Sequence, residues 1–267
     1  MKVKVILRRR LGWALVAAAI FGVIWGSNQQ LPFVIVEPGP VYNVLDFEEG
    51  KEVIAVAPTV DENNAGVIDV LTVYESGSPG NTPYFWELFA AFLSEEKAIY
   101  PLDLAYPDGT NIYDEMREST QAFKDSQKKA LAAAATILPA GMLNTHKVTF
   151  GLTDVGGPSG GLAFTLGIID KLSEGSLTGG KRIAVTGTIE SDGSVGPIGG
   201  IQQKIYSASK VADQFMVIPL ENCEELSKAH LAKIRVIPVA NLNDALSVLR
   251  TISSDGNIGS LAVCKPK

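Results

Sequence analysis

Ser159, in the sequence Gly-Gly-Pro-Ser-Gly-Gly, is the residue best placed in this chain for nucleophilic chemistry. Segment 156–161 lies between a predicted strand, 147–152, and a predicted helix, 162–175. A serine at a helix start lies near free N–H groups and the positive end of the helix dipole. The N–H groups of Ser159 and Gly160 are therefore candidates for stabilising a tetrahedral oxyanion. An anion-binding loop is the alternative use of such a turn.

A nucleophilic serine needs a base, and the sequence contains only two histidines, His146 and His230. Both histidines lie beside polar residues, which favours surface positions and makes them poor candidates for a catalytic triad. A lysine is the alternative base, because burial in an apolar site lowers a lysine pKa toward neutrality. Lys204 suits this role because it lies in the first turn of a predicted helix, 201–212, with apolar residues on one side.

Positive charge is concentrated at the N-terminus, although the net charge of the chain is −6. Five basic residues between Lys2 and Arg10 precede the first acidic residue, Glu37. Without those five, 18 of the 23 basic residues remain against 29 acidic ones, a charge of −11. Because binding to phosphates requires positive charge, no nucleic-acid partner is expected for this acidic body.

An apolar run, 11–26, follows the basic cluster and carries Trp13 and Trp25 near its ends. As a helix it would span about 24 Å, slightly less than the hydrocarbon core of a bilayer. The distribution of charge predicts a single-pass anchor within residues 1–30, with the following residues outside the cytoplasmic membrane. A cleaved signal peptide is the alternative, although the bulky Trp25 and its neighbour occupy positions where cleavage requires small residues.

The pattern after the anchor predicts a mixed α/β fold that begins with a small extracytoplasmic module over residues 31–140. Residues 66–75 have the β-branched composition of a strand. Residues 84–96 and 116–138 predict helices. The first of these helices has a broad aromatic face, and we expect that face to lie in the core.

Strands and helices alternate over residues 141–250, which predicts an α/β domain. The remaining residues, 251–267, are rich in serine, glycine and lysine and predict a flexible tail. Two cysteines, Cys223 and Cys264, have no spacing typical of metal ligands. The sequence leaves open whether these two cysteines form a disulfide.

Two segments of the second half resemble the S16-type proteolytic domain of Lon proteases. They are DVGGPSGGLAFTLGIIDKL (154–172) and AVTGTIESDGSVGPIGGIQQKI (184–205). In order, they contain a glycine-flanked serine turn, a Thr-Gly strand end and a P-I-G-G-x-x-x-K segment, all typical of that family. The resemblance extends from about residue 147 to 249 and implies a Lon-type proteolytic domain.

The resemblance assigns roles to individual residues of this chain. It implies that Ser159 is the nucleophile, that Lys204 is its general base, and that Thr186 hydrogen-bonds the lysine. Gly160 stands where the family usually has alanine, a small change in a turn. The resemblance implies neither a metal nor another cofactor.

The chain further resembles the YlbL-like group of membrane-anchored Lon-like proteases in three segments, EPGPVYNVL, DSQKKALAAA and GGIQQK. Members of that group carry a PDZ domain after the second of these segments, but here only seven residues separate Leu138 from His146. The chain also lacks the G-x-x-x-x-G-K-[ST] pattern of P-loop ATPases.

We therefore expect an ATP-independent, membrane-anchored serine endopeptidase that acts on polypeptides. The resemblance also implies self-association, and a non-catalytic membrane-tethered scaffold is the alternative.

Overall fold

The computed structural model describes residues 13, 16–18, 20–22, 25–60, 66–107, 110–153, 155–211, 213–254 and 256–266. Their fold is mixed α/β, as the sequence predicts. The chain divides into a smaller unit, Met1–Glu37 with Glu75–Ile112, and a larger unit, Pro38–Tyr74 with Tyr113–Lys267. This division differs from the sequence-based boundary at residue 140, because several strands and a long helix from the first half of the chain lie in the larger unit.

The described elements comprise strands, longer helices and short helical turns. The strands are β1 (Phe33–Asn43), β2 (Phe47–Glu48), β3 (Lys51–Glu52), β4 (Ile54–Ala57), β5 (Val67–Ser76), β6 (Ala98–Pro101), β7 (Lys147–Phe150), β8 (Arg182–Val185), β9 (Thr188–Ile189), β10 (Val195–Gly196), β11 (Phe215–Pro219) and β12 (Arg235–Val239). The longer helices are α1 (Phe85–Phe92), α2 (Ile112–Ala135), α3 (Gly161–Leu172), α4 (Ile201–Lys210) and α5 (Leu242–Ser253). Short helical turns are Leu102–Ala105, Met142–Thr145, Leu220–Glu225, Lys228–Leu231 and Ile258–Ser260.

A central sheet organises the larger unit, with strand order β12-β11-β8-β5-β1. Strands β12, β11, β8 and β5 run parallel to one another. Alternate residues of β8 face opposite sides, since Ile183 packs in the cluster that contains α3 and α5, whereas Ala184 packs against α4. Both faces of the sheet are therefore covered by helices, which explains the continuous apolar runs of its strands.

The smaller unit is built from the first half of β1, strand β6 and helix α1. Strands β1 and β6 pair antiparallel from Phe33↔Pro101 to Val36↔Ala98. On its inner side, α1 packs Leu88 and Ala91 against Ile35. The prediction that the aromatic face of this helix lies in the core was wrong: its aromatic residues are exposed. Apolar periodicity identified the helix, but its buried residues are Leu88 and Ala91.

The predicted membrane anchor within residues 1–30 lies largely outside the described residues. The described positions between 13 and 27 are helical, and the side chains of Trp13, Phe21 and Trp25 are exposed. Among the residues that the structure describes, no helix has both the length and the apolar character needed to cross a bilayer.

The C-terminal residues are held by a disulfide between Cys223 and Cys264, a pairing that the sequence left open. The Cys264 side chain is buried, and its N–H donates a hydrogen bond to the carbonyl of Val236 on β12. Helix α5 continues to Ser253 and buries Ile252. These contacts fix part of the segment 251–267, for which the sequence predicted a flexible tail.

A buried ionic cluster joins β5, β8 and the segment before β11. Nε of Arg182 donates a hydrogen bond of 2.5 Å to Oδ2 of Asp69 and lies 3.4 Å from Oδ1 of Asp213. Burial raises the pKa of Asp213 to about 8, and the neighbouring Asp69 carboxyl raises it further, against the opposing effect of Arg182. One guanidinium therefore faces two carboxyls, and Asp213 stays protonated at neutral pH.

Asp213→Asn is expected to flatten the pH dependence of stability between about pH 4 and 8. The carboxyl ionises near pH 4 in the unfolded chain but near pH 8 in the folded one, so the unfolded state binds fewer protons in this interval. The stability contributed by this group consequently falls as the pH rises. At pH 8 we expect the variant to be more stable than the parent by about 1–2 kcal/mol.

Chemical unfolding of both chains at pH 5 and pH 8 measures this difference. Asp114→Asn is the matched control, because Asp114 lies in an exposed ion pair with Arg117. Identical pH dependence in the parent and in Asp213→Asn would contradict the protonation of the buried carboxyl.

Candidate active site

Ser159 lies in a glycine-rich turn that leads directly into helix α3. Gly157 has a φ of +76°, a left-handed conformation that favours glycine. Gly160 caps the helix, and a Cβ added there would lie 3.0 Å from both the Phe164 ring and the Val70 side chain. Phe164 and Val70 therefore leave little space for the methyl group of an alanine at position 160, whereas glycine fits without a steric clash.

The serine turn is clamped by the residues that follow β8. The Ser159 carbonyl accepts hydrogen bonds from the Gly187 N–H at 2.8 Å and from the Thr186 hydroxyl at 3.3 Å. The Leu162 N–H donates in return to the Gly187 carbonyl at 3.1 Å. This reciprocal pairing fixes the nucleophile turn against the sheet.

Lys204 lies in the first turn of α4, and its side chain is almost entirely buried, with 2% exposure. Nζ donates a hydrogen bond of 3.5 Å to the fully buried Thr186 hydroxyl. Burial lowers the pKa of Lys204 to about 7. A substantial fraction of this lysine is therefore neutral at physiological pH, and Thr186 connects it to the carbonyl of Ser159.

Ser159, Gly160 and Lys204 line one cavity of about 330 Å³. Residues of β1 and β5 supply much of the wall, and most of the remainder is apolar or glycine. The other lining residues are Pro40, Tyr42, Val70, Leu71, Thr72, Val73, Tyr74, Phe123, Leu152, Val155, Gly156, Gly157 and Phe164. The structure thus brings the predicted nucleophile and the predicted base to the same enclosed space.

Within the described residues, Ser159 and Lys204 both line this cavity, and no hydrogen bond joins the Ser159 hydroxyl to Nζ of Lys204. The backbone N–H groups of Ser159 and Gly160 likewise pair with no carbonyl of the described chain. Both groups are accordingly available to an oxygen atom that enters the cavity at the start of α3.

Neither histidine lines the cavity. Nδ1 of His146 lies 3.1 Å from the Met142 carbonyl, and His230 packs edge-on against Tyr206 with ring centroids 6.1 Å apart. Lys204 is thus the one amine or imidazole among the described lining residues. The described ranges also hold no group of three His, Cys, Asp or Glu side chains arranged to bind a metal ion.

A serine in a glycine-rich turn and a buried lysine that line one cavity are the groups used by the class of serine proteases in which lysine is the base. A family model described as the Lon protease (S16) C-terminal proteolytic domain matches residues 96–251, more than half of the chain. The chain therefore belongs to the Lon protease (S16) family.

Curated relatives agree with this assignment. Lon protease from Geobacter metallireducens is 31% identical over 144 residues, which cover 52% of this chain and 17% of the relative. Lon protease from Trichlorobacter lovleyi is 33% identical over 95 residues, 34% of this chain and 11% of the relative. Archaeal Lon protease from Archaeoglobus fulgidus is 36% identical over 78 residues, 28% of this chain and 12% of the relative. The chain spans less than a fifth of the length of these relatives.

Proposed function

We propose that this chain is an ATP-independent, membrane-anchored serine endopeptidase with a Ser159–Lys204 dyad. One observation carries the proposal: a lysine whose pKa is lowered to about 7 by burial lines the same cavity as the serine of the helix-start turn. A base that is partly neutral at physiological pH is what activation of a serine hydroxyl requires.

The chemistry follows from the positions of these groups. Neutral Lys204 takes the proton of the Ser159 hydroxyl as Oγ attacks the scissile carbonyl carbon. The N–H groups of Ser159 and Gly160 stabilise the oxyanion, and the Lys204 ammonium then protonates the leaving amine. Water activated by the same lysine hydrolyses the ester and releases the serine. Thr186 holds Nζ in place throughout through its hydrogen bond.

The proposed substrates are unfolded or flexible polypeptide segments. A cavity of about 330 Å³ admits a few side chains and excludes a folded domain. The sequence has no P-loop pattern that would bind ATP for unfolding. Self-association is part of the proposal on the basis of the resemblance to Lon-type domains.

We place the catalytic unit outside the cytoplasmic membrane, anchored by residues 1–30. The basic cluster followed by the apolar run 11–26 supports this orientation. The Cys223–Cys264 disulfide supports it independently, because disulfides persist in oxidising compartments outside the cytoplasm. The substrates in this setting are secreted or membrane-proximal polypeptides.

Cleavage of one model protein in two states tests this function. The full chain in lipid vesicles is incubated, without nucleotide, with a protein in its native form and with the same protein reduced and alkylated. We expect fragments from the unfolded form alone, and no change when ATP is added. Cleavage that depends on ATP would contradict the proposal. Absence of cleavage in both states would favour the non-catalytic scaffold.

A further inference from the structure

Helix α1 of the smaller unit exposes a large apolar surface on its outer face. We define this outer face as Phe85, Trp86, Phe89, Phe92 and Leu93, whose exposed fractions range from 48% to 76%. The Phe85 and Phe89 rings stack with their centroids 6.4 Å apart. Soluble proteins seldom expose contiguous apolar patches of this kind unless the patch contacts a partner or a membrane.

The outer face begins where the N-terminal apolar segment ends. The Phe85 N–H donates a hydrogen bond of 2.9 Å to the Gln29 carbonyl, and Leu31 N–H donates to the Pro83 carbonyl at 3.0 Å. An isolated β-bridge joins Gln30 to Tyr84 between these two bonds. The start of α1 is therefore fixed to the residues that immediately follow the apolar run 11–26.

The chemistry of the outer face matches the boundary between headgroups and acyl chains. Trp86 has an apolar ring with a polar N–H, a combination enriched at membrane interfaces. The one charged residue of α1 is Glu87, whose carboxylate accepts a hydrogen bond from the Tyr84 N–H at 2.7 Å. The Glu87 carboxylate is therefore hydrogen-bonded at the start of the helix. The other residues of α1 are uncharged and do not oppose insertion into the membrane.

We propose that the outer face of α1 inserts into the headgroup–acyl boundary of the bilayer that holds the N-terminal segment. This inference rests on the anchor of the proposed function, and it adds a second membrane contact next to the first. The point of attachment at Gln29 limits how far α1 can lie from the membrane surface, because only two residues, Ser27 and Asn28, separate Gln29 from the end of the apolar run. The bilayer is therefore within reach of the outer face. The boundary between headgroups and acyl chains accommodates both the apolar rings and the polar indole N–H of Trp86.

Tryptophan fluorescence distinguishes the two membrane contacts, because the chain has three tryptophans. The double variant Trp13→Phe, Trp25→Phe leaves Trp86 as the single fluorescent reporter and does not change the outer face. The full chain is placed in phosphatidylcholine vesicles whose acyl chains carry bromine either near the headgroup or near the methyl end. We expect bromine near the headgroup to lower Trp86 emission about twofold or more, and bromine at the methyl end to have less effect.

A second chain, Trp13→Phe with Trp86→Phe, retains Trp25 as a reporter of the anchor alone. Bromine quenching of Trp25 without quenching of Trp86 would overturn the membrane contact of α1 and leave the anchor intact. Absence of quenching at both positions would remove the anchor as well. Aqueous iodide provides the remaining control: a Trp86 shielded from both iodide and bromine would show that another protein copy covers the outer face, which also overturns the proposal.

Discussion

Lys204→Met is expected to abolish peptide hydrolysis while making the folded chain more stable. Loss of the general base should lower kcat/KM by about 10²- to 10⁴-fold, and Ser159→Ala should lower it at least as far. Lys204→Arg should be equally inactive, because a guanidinium stays protonated at any pH that the folded chain tolerates. Initial rates on an unfolded model protein measure all three variants.

The gain in stability follows from the direction of the pKa shift of Lys204. Burial lowers the pKa from 10.5 to about 7, so the unfolded chain binds a proton between these pH values that the folded chain does not. The stability contributed by this lysine is thus present above pH 10.5 and is lost as the pH falls toward 7. Methionine has no charge to bury, and we expect about 1–3 kcal/mol of added stability at pH 7.

Lys210→Met is the matched control, because Lys210 lies on the same helix with an exposed side chain. Its activity should be unchanged and its unfolding free energy should move by less than about 0.5 kcal/mol. Full activity in Lys204→Met would remove the lysine from the mechanism. A variant that loses both activity and stability would indicate a structural role for Lys204 instead.

Removal of the Cys223–Cys264 disulfide is expected to cost about 4 kcal/mol of stability, since it closes a loop of intermediate length. The two cysteines are 41 residues apart in sequence, and the loop between them includes β12. Cys223 also adjoins Asn222, whose side-chain amide donates to the Ile198 carbonyl at 2.9 Å and accepts from the Ile198 N–H at 3.1 Å. These bonds hold the segment that leads into α4, so the loss should also lower activity through the position of Lys204.

Chemical unfolding of the parent and of the double variant Cys223→Ser, Cys264→Ser, each with and without a reductant, measures the effect. We expect the reductant to destabilise the parent to the level of the double variant and to leave the double variant unchanged. A parent that unfolds at the same denaturant concentration with and without reductant would contradict a stabilising disulfide.

The sequence identifies the chemical groups of the site more readily than the walls around them. Ser159 and Lys204 stand out because a glycine-rich turn and a helix start restrict the local backbone, and both features depend on nearby residues. The cavity wall formed by Tyr42 and Val70–Tyr74 depends on strands that lie far from Ser159 in the chain. No local pattern specifies which strand edge will meet the nucleophile turn.

The same distinction between local and distant determinants explains the other differences. Aromatic periodicity located α1 but did not predict its exposed outer face, because exposure depends on which elements pack against the helix. The buried contact between Arg182 and the carboxyls of Asp69 and Asp213 joins three segments that the sequence shows as unrelated charges. The disulfide likewise depends on tertiary proximity, with Cα atoms of the two cysteines 5.3 Å apart.

Covalent labelling of the full chain by a fluorophosphonate probe tests the proposed dyad most directly. Digestion and mass spectrometry locate the adduct, and the labelling rate is followed between pH 5 and pH 9. We predict a single adduct on Ser159, a rate that rises through a midpoint near the lowered pKa of Lys204, about 7, and loss of labelling in Lys204→Met. An adduct on another residue, or labelling of Ser159 that is unaffected by Lys204→Met, would contradict the Ser159–Lys204 dyad.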